Sequence, residues 1–329
     1  MTLPLLSIGL PPGPNNVEVA KVAEEFGCAR VWLFDSAALY EDLWIWLDRI
    51  ARETTIGLGT AVLVPNLRHV MTTASAIATI EHVAPGRLVC GLGTGATARW
   101  VLGRRALSWA ATRRYVETLR GLLAGEVVEV DGARTQMIHW PGLAPARPIS
   151  TPLLLSAFGP KGLAITAEVA DGLIDATDTP WRGGLHVRMF NGTVVLDGED
   201  PNGARAREAV APWLVMGYHG AYTFDPAVVD HLPGGAAWRA AIEAARPEGE
   251  RHLAVHEGHV SHLTERDRAL LLDAAWESRS AGILWMGSPA EIRERAAHSA
   301  ANGVTELLYT PTGPDVVGEV RRMAEALAG

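Results

Sequence analysis

One stretch constrains the fold more than any other: Thr54 to Gly95, TTIGLGTAVLVPNLRHVMTTASAIATIEHVAPGRLVCGLGTG. An apolar, β-branched run (Ile56–Val64) stops at Pro65-Asn66, and a helix-like segment (Thr72–Val83) follows. Pro85-Gly86 then turns the chain into a second apolar run, Leu88–Leu92, which ends in glycines. Two strands joined through a helix lie parallel, so both exits face the same way.

The same alternation recurs along most of the chain. Strand patterns fall at Leu5–Leu10, Arg30–Phe34, Leu153–Ala157, Leu173–Thr177, Pro212–Tyr218 and Glu306–Thr310. Helix patterns fall at Val17–Phe26, Tyr40–Arg52, Ser108–Leu123, Gly162–Ala170, Pro289–Ala301 and Asp315–Ala328. With about eight strands over this length, the α/β class resolves into a closed (β/α)8 TIM barrel rather than an open sheet. No linker divides the 329 residues, so they are read as a single domain whose 48% hydrophobic content can fill a large core.

One region breaks the rhythm. Between Trp181 and Arg207, His186–Phe190 and Thr193–Leu196 flank Asn191-Gly192, which reads as a hairpin about an Asn-Gly turn. This predicts an insertion over the C-terminal mouth of the barrel, where loops select substrates, with a plain surface flap as the other reading. The segment 219–285 is read as irregular.

A net charge of −8 and a pI near 5.8 argue against a nucleic-acid partner or an anionic membrane surface. No apolar run reaches the roughly 18 residues of a membrane span, and no basic, then apolar, leader is present, so a cytoplasmic protein is expected. Cys28 and Cys90 lie in apolar, strand-like surroundings and are expected as buried free thiols.

Three segments carry candidate chemistry. Ser156-Ala157-Phe158-Gly159-Pro160-Lys161-Gly162 places small residues and a lysine between a strand and a helix start. Free amides and a positive charge at that point suit a phosphate, and Thr177 at the next strand's end adds a hydroxyl. Gly91-Leu92-Gly93-Thr94-Gly95 invites a dinucleotide reading, yet Ala96 and Thr97 follow where a third glycine belongs, and no acidic residue closes the fingerprint. His252, His256, His259 and His262 suggest a metal, but Val260 stands where a zinc-protease pattern needs histidine, and Gly258 weakens a shared helix face. No metal is therefore expected, and His256 and His259 are instead read as substrate contacts or proton donors at the mouth.

Taken in order, Arg30–Asp35, Gly59–His69, Thr73–Glu81, Pro85–Gly95, Leu155–Gly162 and Glu168–Gly172 resemble the bacterial luciferase-like superfamily. Within it they are most similar to the coenzyme F420-dependent branch that includes methylenetetrahydromethanopterin reductase. The resemblance is dense over residues 1 to 178, resumes around Gly287–Pro311 and is poor between. It implies a barrel that binds a deazaflavin (coenzyme F420) at the strands' carboxyl ends, with FMN as the alternative cofactor. It further implies a cis peptide between Ala61 and Val62 behind the ring, Gly93, Thr94 and Gly95 along the ring or ribityl chain, and Arg99 at the tail.

The family's alcohol-oxidising members carry a histidine and an aromatic residue after the second strand's aspartate and a glutamate after the glycines. Here Asp35 is followed by Ser36 and Tyr40, and Ala96 follows the glycines. Without a strong base, hydride delivery to a C=N or C=C bond is expected rather than alcohol oxidation, with Asp35, Tyr40, His256 or His259 as proton donor. The competing readings are an FMN-dependent two-component monooxygenase and a non-catalytic binding subunit. The expected partners are a small-molecule substrate and a second copy of the chain, as a homodimer or larger assembly.

Overall fold

The computed structural model describes residues 2–65, 67–177, 179–270 and 284–329. Its first half runs β1 (Leu5–Leu10), α1 (Asn16–Glu25), β2 (Arg30–Leu33), α2 (Leu43–Glu53), β3 (Gly57–Leu63), α3 (Val70–Val83) and β4 (Leu88–Leu92). A short α4 (Ala96–Trp100), α5 (Trp109–Ala124) and an antiparallel pair, β5 (Val128–Val130) and β6 (Ala133–Thr135), lead into β7 (Leu153–Ser156), α6 (Pro160–Val169), β8 (Gly172–Asp175) and β9 (Leu185–Val194). A helical layer follows: α7 (Ala204–Phe224), α8 (Pro226–Val229), α9 (Gly235–Ala245), α10 (Arg251–Val255) and α11 (Glu265–Leu270). The chain closes with β10 (Leu284–Gly287), α12 (Pro289–Ala301), β11 (Glu306–Tyr309) and α13 (Val316–Ala328).

Eight parallel strands close the barrel in the order β1, β2, β3, β4, β7, β8, β9, β11, and β11 pairs back onto β1 with Leu5 opposite Glu306. The expected (β/α)8 architecture is thus the one observed. Helix starts coincide with side-chain caps: Asp42 accepts from the Trp44 amide, Ser108 from Ala111, and Ser288 with Glu291 forms a capping box. Asp42 also explains why α2 begins later than Tyr40: capping by a side chain fixes the first turn at Leu43.

The barrel interior is a small apolar cluster of Trp32, Ala61, Val89, Leu154, Ile174, Val187 and Leu308. Trp32 fills the space beside Gly59, where a Cβ would lie 2.3 Å from the indole. A larger core lies between strands and outer helices, and the helical layer keeps one of its own around Val215, Tyr218, Trp238, Ile242 and Val255. Cys28 and Cys90 are buried and unpaired, and burial pushes the Cys28 thiol up to about 12.

Two sequence expectations are overturned together. Residues 186–196 form no hairpin, since Leu185–Val194 is one continuous barrel strand. Gly192 serves close approach rather than a turn: a Cβ there would lie 2.0 Å from the Trp285 carbonyl of the pairing strand β10. Because both faces of β9 are covered, it lacks the polar alternation that marks a strand. Conversely Pro212–Tyr218 is no strand but part of α7, whose buried residues Ala206, Ala209, Val210, Val215, Tyr218 and Tyr222 follow helical spacing. Pro212 interrupts the hydrogen-bond ladder there, and the Thr312 hydroxyl donates to the nearby Ala209 carbonyl at 2.6 Å. The stretch read as irregular from 219 is largely helical as far as Leu270; its remainder at 271–283 lies outside the described residues.

Candidate active site

The site is built on the strand exits. On β3, Thr60 pairs with Cys90 but Leu63 with Leu92, so three steps on β3 match two on β4 and the strand bulges. The Ala61-Val62 peptide inside this bulge is cis, as expected. The glycines just after β4 make room for it. A Cβ at Gly93 would stand 2.8 Å from Val62, and one at Gly95 only 2.2 Å from Val64. Gly95 also has φ 76, a left-handed conformation that caps α4. Its glycine pattern is thus explained first by the neighbouring bulge, a reason that spacing along one strand does not reveal.

The bulge is tied to β2 by charge. Arg68 Nη1 contacts both Asp35 oxygens at 2.6 and 2.7 Å, and Arg68 Nη2 reaches Asp42 at 2.8 Å. Asp35 is also 3.4 Å from the Val64 amide, which donates to it. Burial raises the Asp35 carboxyl, and Arg68 opposes that shift. Asp35 is accordingly engaged on all sides, and Arg68 was not singled out in the sequence.

Across the mouth, the helical layer docks through histidines. His256 and His259 come together through the turn after α10, and His219 from α7 joins them. His219 Nδ1 and His259 Nδ1 share a hydrogen bond of 2.7 Å, and His259 Nε2 lies 3.2 Å from the Thr97 hydroxyl on α4. The Tyr40 hydroxyl donates to the His259 carbonyl, and burial raises its ionisation above the ordinary range. His256 Nδ1 faces the His252 carbonyl at 2.8 Å, so that nitrogen carries the proton. Burial holds His259 down to about 3 and lowers His219 and His256 as well, so all three rings are neutral near pH 7. Val260 makes the turn with φ 63, unusual for a β-branched residue. His252 and His262 stay outside this cluster. Among the described residues, no three histidine, cysteine or carboxylate side chains converge as metal ligands.

The phosphate candidates sit on the β7 and β8 exits. Helix α6 starts at Pro160 with no side-chain cap, and Gly159 has open space beside it. Lys161 is exposed there, Ala157 is buried and Phe158 is 57% exposed, high for an aromatic residue. The Thr177 hydroxyl donates to Asp175 at 3.2 Å. Arg99 Nε donates to the Arg105 carbonyl at 2.6 Å on the adjoining loop. Uncapped amides, one lysine and an open approach fit an anionic tail, and Val62 against Gly93 offers an apolar backing for a planar ring. At β9, the Asn191 amide oxygen is buried without a hydrogen-bond partner. On the opposite side of the mouth, the loops after β1, β2 and β11 and residues 260–263 enclose a cleft of about 1150 Å³.

Structure therefore brings together two groups that were read apart. Tyr40, His256 and His259 form one cluster, with His219 and Thr97 added by the tertiary fold. Asp35 joins the β3 bulge instead. No periodicity in α7 distinguishes His219, which is adjacent to the cluster only through the packing of the helical layer.

Comparison with known proteins agrees with this fold. The family described as luciferase-like monooxygenase matches residues 6–183. A 5,10-methylenetetrahydromethanopterin reductase of Methanolobus tindarius is 32% identical over 55% of this chain, and the match spans only 56% of that protein. An F420-dependent glucose-6-phosphate dehydrogenase of Beutenbergia cavernae is 29% identical over 86% of this chain and 80% of its own length. Among solved structures, the coenzyme F420-dependent tetrahydromethanopterin reductase of Methanopyrus kandleri superposes with a TM-score of 0.67 at 20% identity, covering 100% of this chain and 99% of that one. Monooxygenase RslO1 of Streptomyces bottropensis superposes with a TM-score of 0.59 at 16% identity over 98% of each chain. With more than half of its length matched by the family model, this chain belongs to the luciferase-like monooxygenase family.

Proposed function

We propose that this chain is an F420-dependent oxidoreductase that reduces a C=N or C=C bond of a small organic substrate. The observation that carries the reading is the pairing of an apolar platform, Val62 over Gly93, with an uncapped helix start at Gly159–Gly162 on the same rim. The names of the relatives in sequence favour the deazaflavin over FMN. When bound, reduced F420 supplies a hydride.

The chain's own residues would do the rest. Val62 would back the ring, Gly93, Thr94 and Gly95 would pass along its edge, and Ala157 and Phe158 would border the tail. Lys161, the free amides of α6 and Thr177 would hold the phosphate, with Arg99 near the tail. Ser36 and Ala96 supply no strong base, so deprotonating an alcohol is disfavoured while positioning an electrophile over the ring is not. Of the four proton-donor candidates, Asp35 is held on Arg68, the Tyr40 hydroxyl on a carbonyl, and His256 and His259 are buried and neutral.

Titration with F420 and with FMN, followed by anaerobic mixing with reduced F420 and trial acceptors, tests the reading. Cofactor oxidation without oxygen consumption, with deuterium passing from carbon 5 into product, is the expected result. A strict oxygen requirement with FMN alone would make the chain a monooxygenase in activity, and failure to bind either cofactor would make it a binding subunit.

A further inference from the structure

We infer that Asn191, at the exit of β9, binds the hydride acceptor, and that the acceptor carries an amide edge, an N–H beside a C=O. Naming that ligand the acceptor rests on the oxidoreductase reading; the binding site itself does not. On β9, Val187 belongs to the interior cluster of the barrel and Met189 packs against it, while Phe190 and Val194 belong to the outer core. Alternation along the strand therefore puts Asn191 on the inward row, one step beyond Met189 towards the mouth. In the closed barrel β3 is the third strand and β9 the seventh of eight, so the two stand opposite each other across the axis. A ring backed by Val62 on β3 turns its other face towards β9, the side from which an acceptor must approach.

No contact among the described residues calls for an amide at this position. Asn191 is 5% exposed, its Oδ1 is buried without a partner, and its Nδ2 makes no hydrogen bond to a described residue. Val187 and Met189 on the same row are apolar, and so is Leu284, its partner on β10, which packs with Ala209 and Val210 of α7. A leucine would suit those surroundings, whereas a buried amide with unmet hydrogen bonds costs stability. Such a cost is retained where function needs the group. A second unmet group lies on the same seam: Trp213 of α7 packs on the Leu284 cluster, and its indole N–H is buried without a partner. The seam between β9 and α7 thus holds both an acceptor and a donor that the fold leaves unused.

The chemistry of asparagine names the ligand class. Its side chain offers one acceptor and one donor side by side in a plane. The edge that answers both is a cis amide, as in a lactam, with N–H donating to Oδ1 and C=O accepting from Nδ2. Anchored there, a small unsaturated lactam would lie between Asn191 and the ring, held by two bonds that fix its orientation.

The test uses the full chain with oxidised F420 in solution, titrated by ligand-observed NMR with δ-valerolactam and with its N-methyl derivative. The lactam is expected to bind at millimolar concentration, and methylation, which removes the donor, to weaken it about three- to tenfold. In Asn191→Leu the unmethylated lactam should weaken by a similar factor and methylation should cost nothing further, because the hydrogen bond it removes is already gone. Stability reads the same residue without a ligand. Either Asn191→Leu or Asn191→Ala should raise the urea midpoint, since each deletes an unmet polar group, whereas an asparagine that holds the fold together lowers it in both. A lower midpoint in both variants, a methylation penalty that persists in Asn191→Leu, or no lactam binding at millimolar concentration would each overturn the inference. Titrating wild-type protein with F420 separates the two readings. A chain that takes the lactam but not F420 keeps the Asn191 site and loses the oxidoreductase, and the reverse result loses only the site.

Discussion

Replacing Gly95 by alanine tests whether the glycines after β4 are there for the β3 bulge. The new Cβ would stand 2.2 Å from Val64 Cγ1 and 3.1 Å from Cγ2, well inside van der Waals contact, and Val64 is only 4% exposed and has little room to move. Overpacking of that kind costs about 1–3 kcal/mol. The left-handed backbone at φ 76 adds roughly 1–2 kcal/mol for any residue with a Cβ. Gly95→Ala should therefore lose about 2–5 kcal/mol. Val64→Ala alone leaves a small cavity and should lose about 1–3 kcal/mol. In the double variant the clashing methyls are gone, so the backbone cost and the cavity remain while the overpacking disappears. Its loss should fall short of the sum of the singles by about 1–3 kcal/mol. Urea unfolding of the four proteins, fitted with a common m-value, reads this coupling. If the losses add to within about 0.5 kcal/mol, the clash is not the reason for the glycine, and the conformation of Gly95 alone accounts for it.

Other outcomes follow from the same geometry. Lys161→Ala should weaken F420 by roughly tenfold or more at low salt, as one charge-assisted contact is lost, and an unchanged dissociation constant would put the phosphate elsewhere. Arg68→Met should cost about 3–5 kcal/mol because it strands the buried Asp35 charge, and adding Asp35→Asn should recover part of that loss in thermal unfolding. The buried histidines make stability depend on pH. Their folded values lie below the unfolded value of 6.5, so their contribution is complete above that pH and is lost as pH falls towards the folded value, about 3 for His259. Unfolding free energy measured from pH 7 to pH 4 should decline, and His259→Gln should flatten the decline by up to about 1.4 kcal/mol per pH unit. An identical slope in the variant would mean that His259 is protonated in the fold.

Much of the barrel was legible along the chain, because a parallel strand and the helix after it are each written in consecutive residues. β1 to β4, β7, β8 and β11, with their intervening helices, came from apolar runs and from glycine and proline stops. The exits of β3 and β4, Lys161 at the start of α6, and the two buried thiols were readable for the same reason.

What failed were features whose cause lies elsewhere in space. Asn191-Gly192 has the chemistry of a turn, yet β10 packs against it and only the absence of a side chain permits that approach. The Pro212 segment has the composition of a strand, but its apolar side chains meet the helical layer at helical spacing. Tertiary structure alone decided that Arg68 grips Asp35 and Asp42, and that His219 completes the cluster of His256 and His259. Local sequence sets dihedral preference and which faces are apolar, since both act over a few residues. Ion pairs and histidine contacts depend on distances between residues far apart in the chain, and those exist only once the barrel has closed.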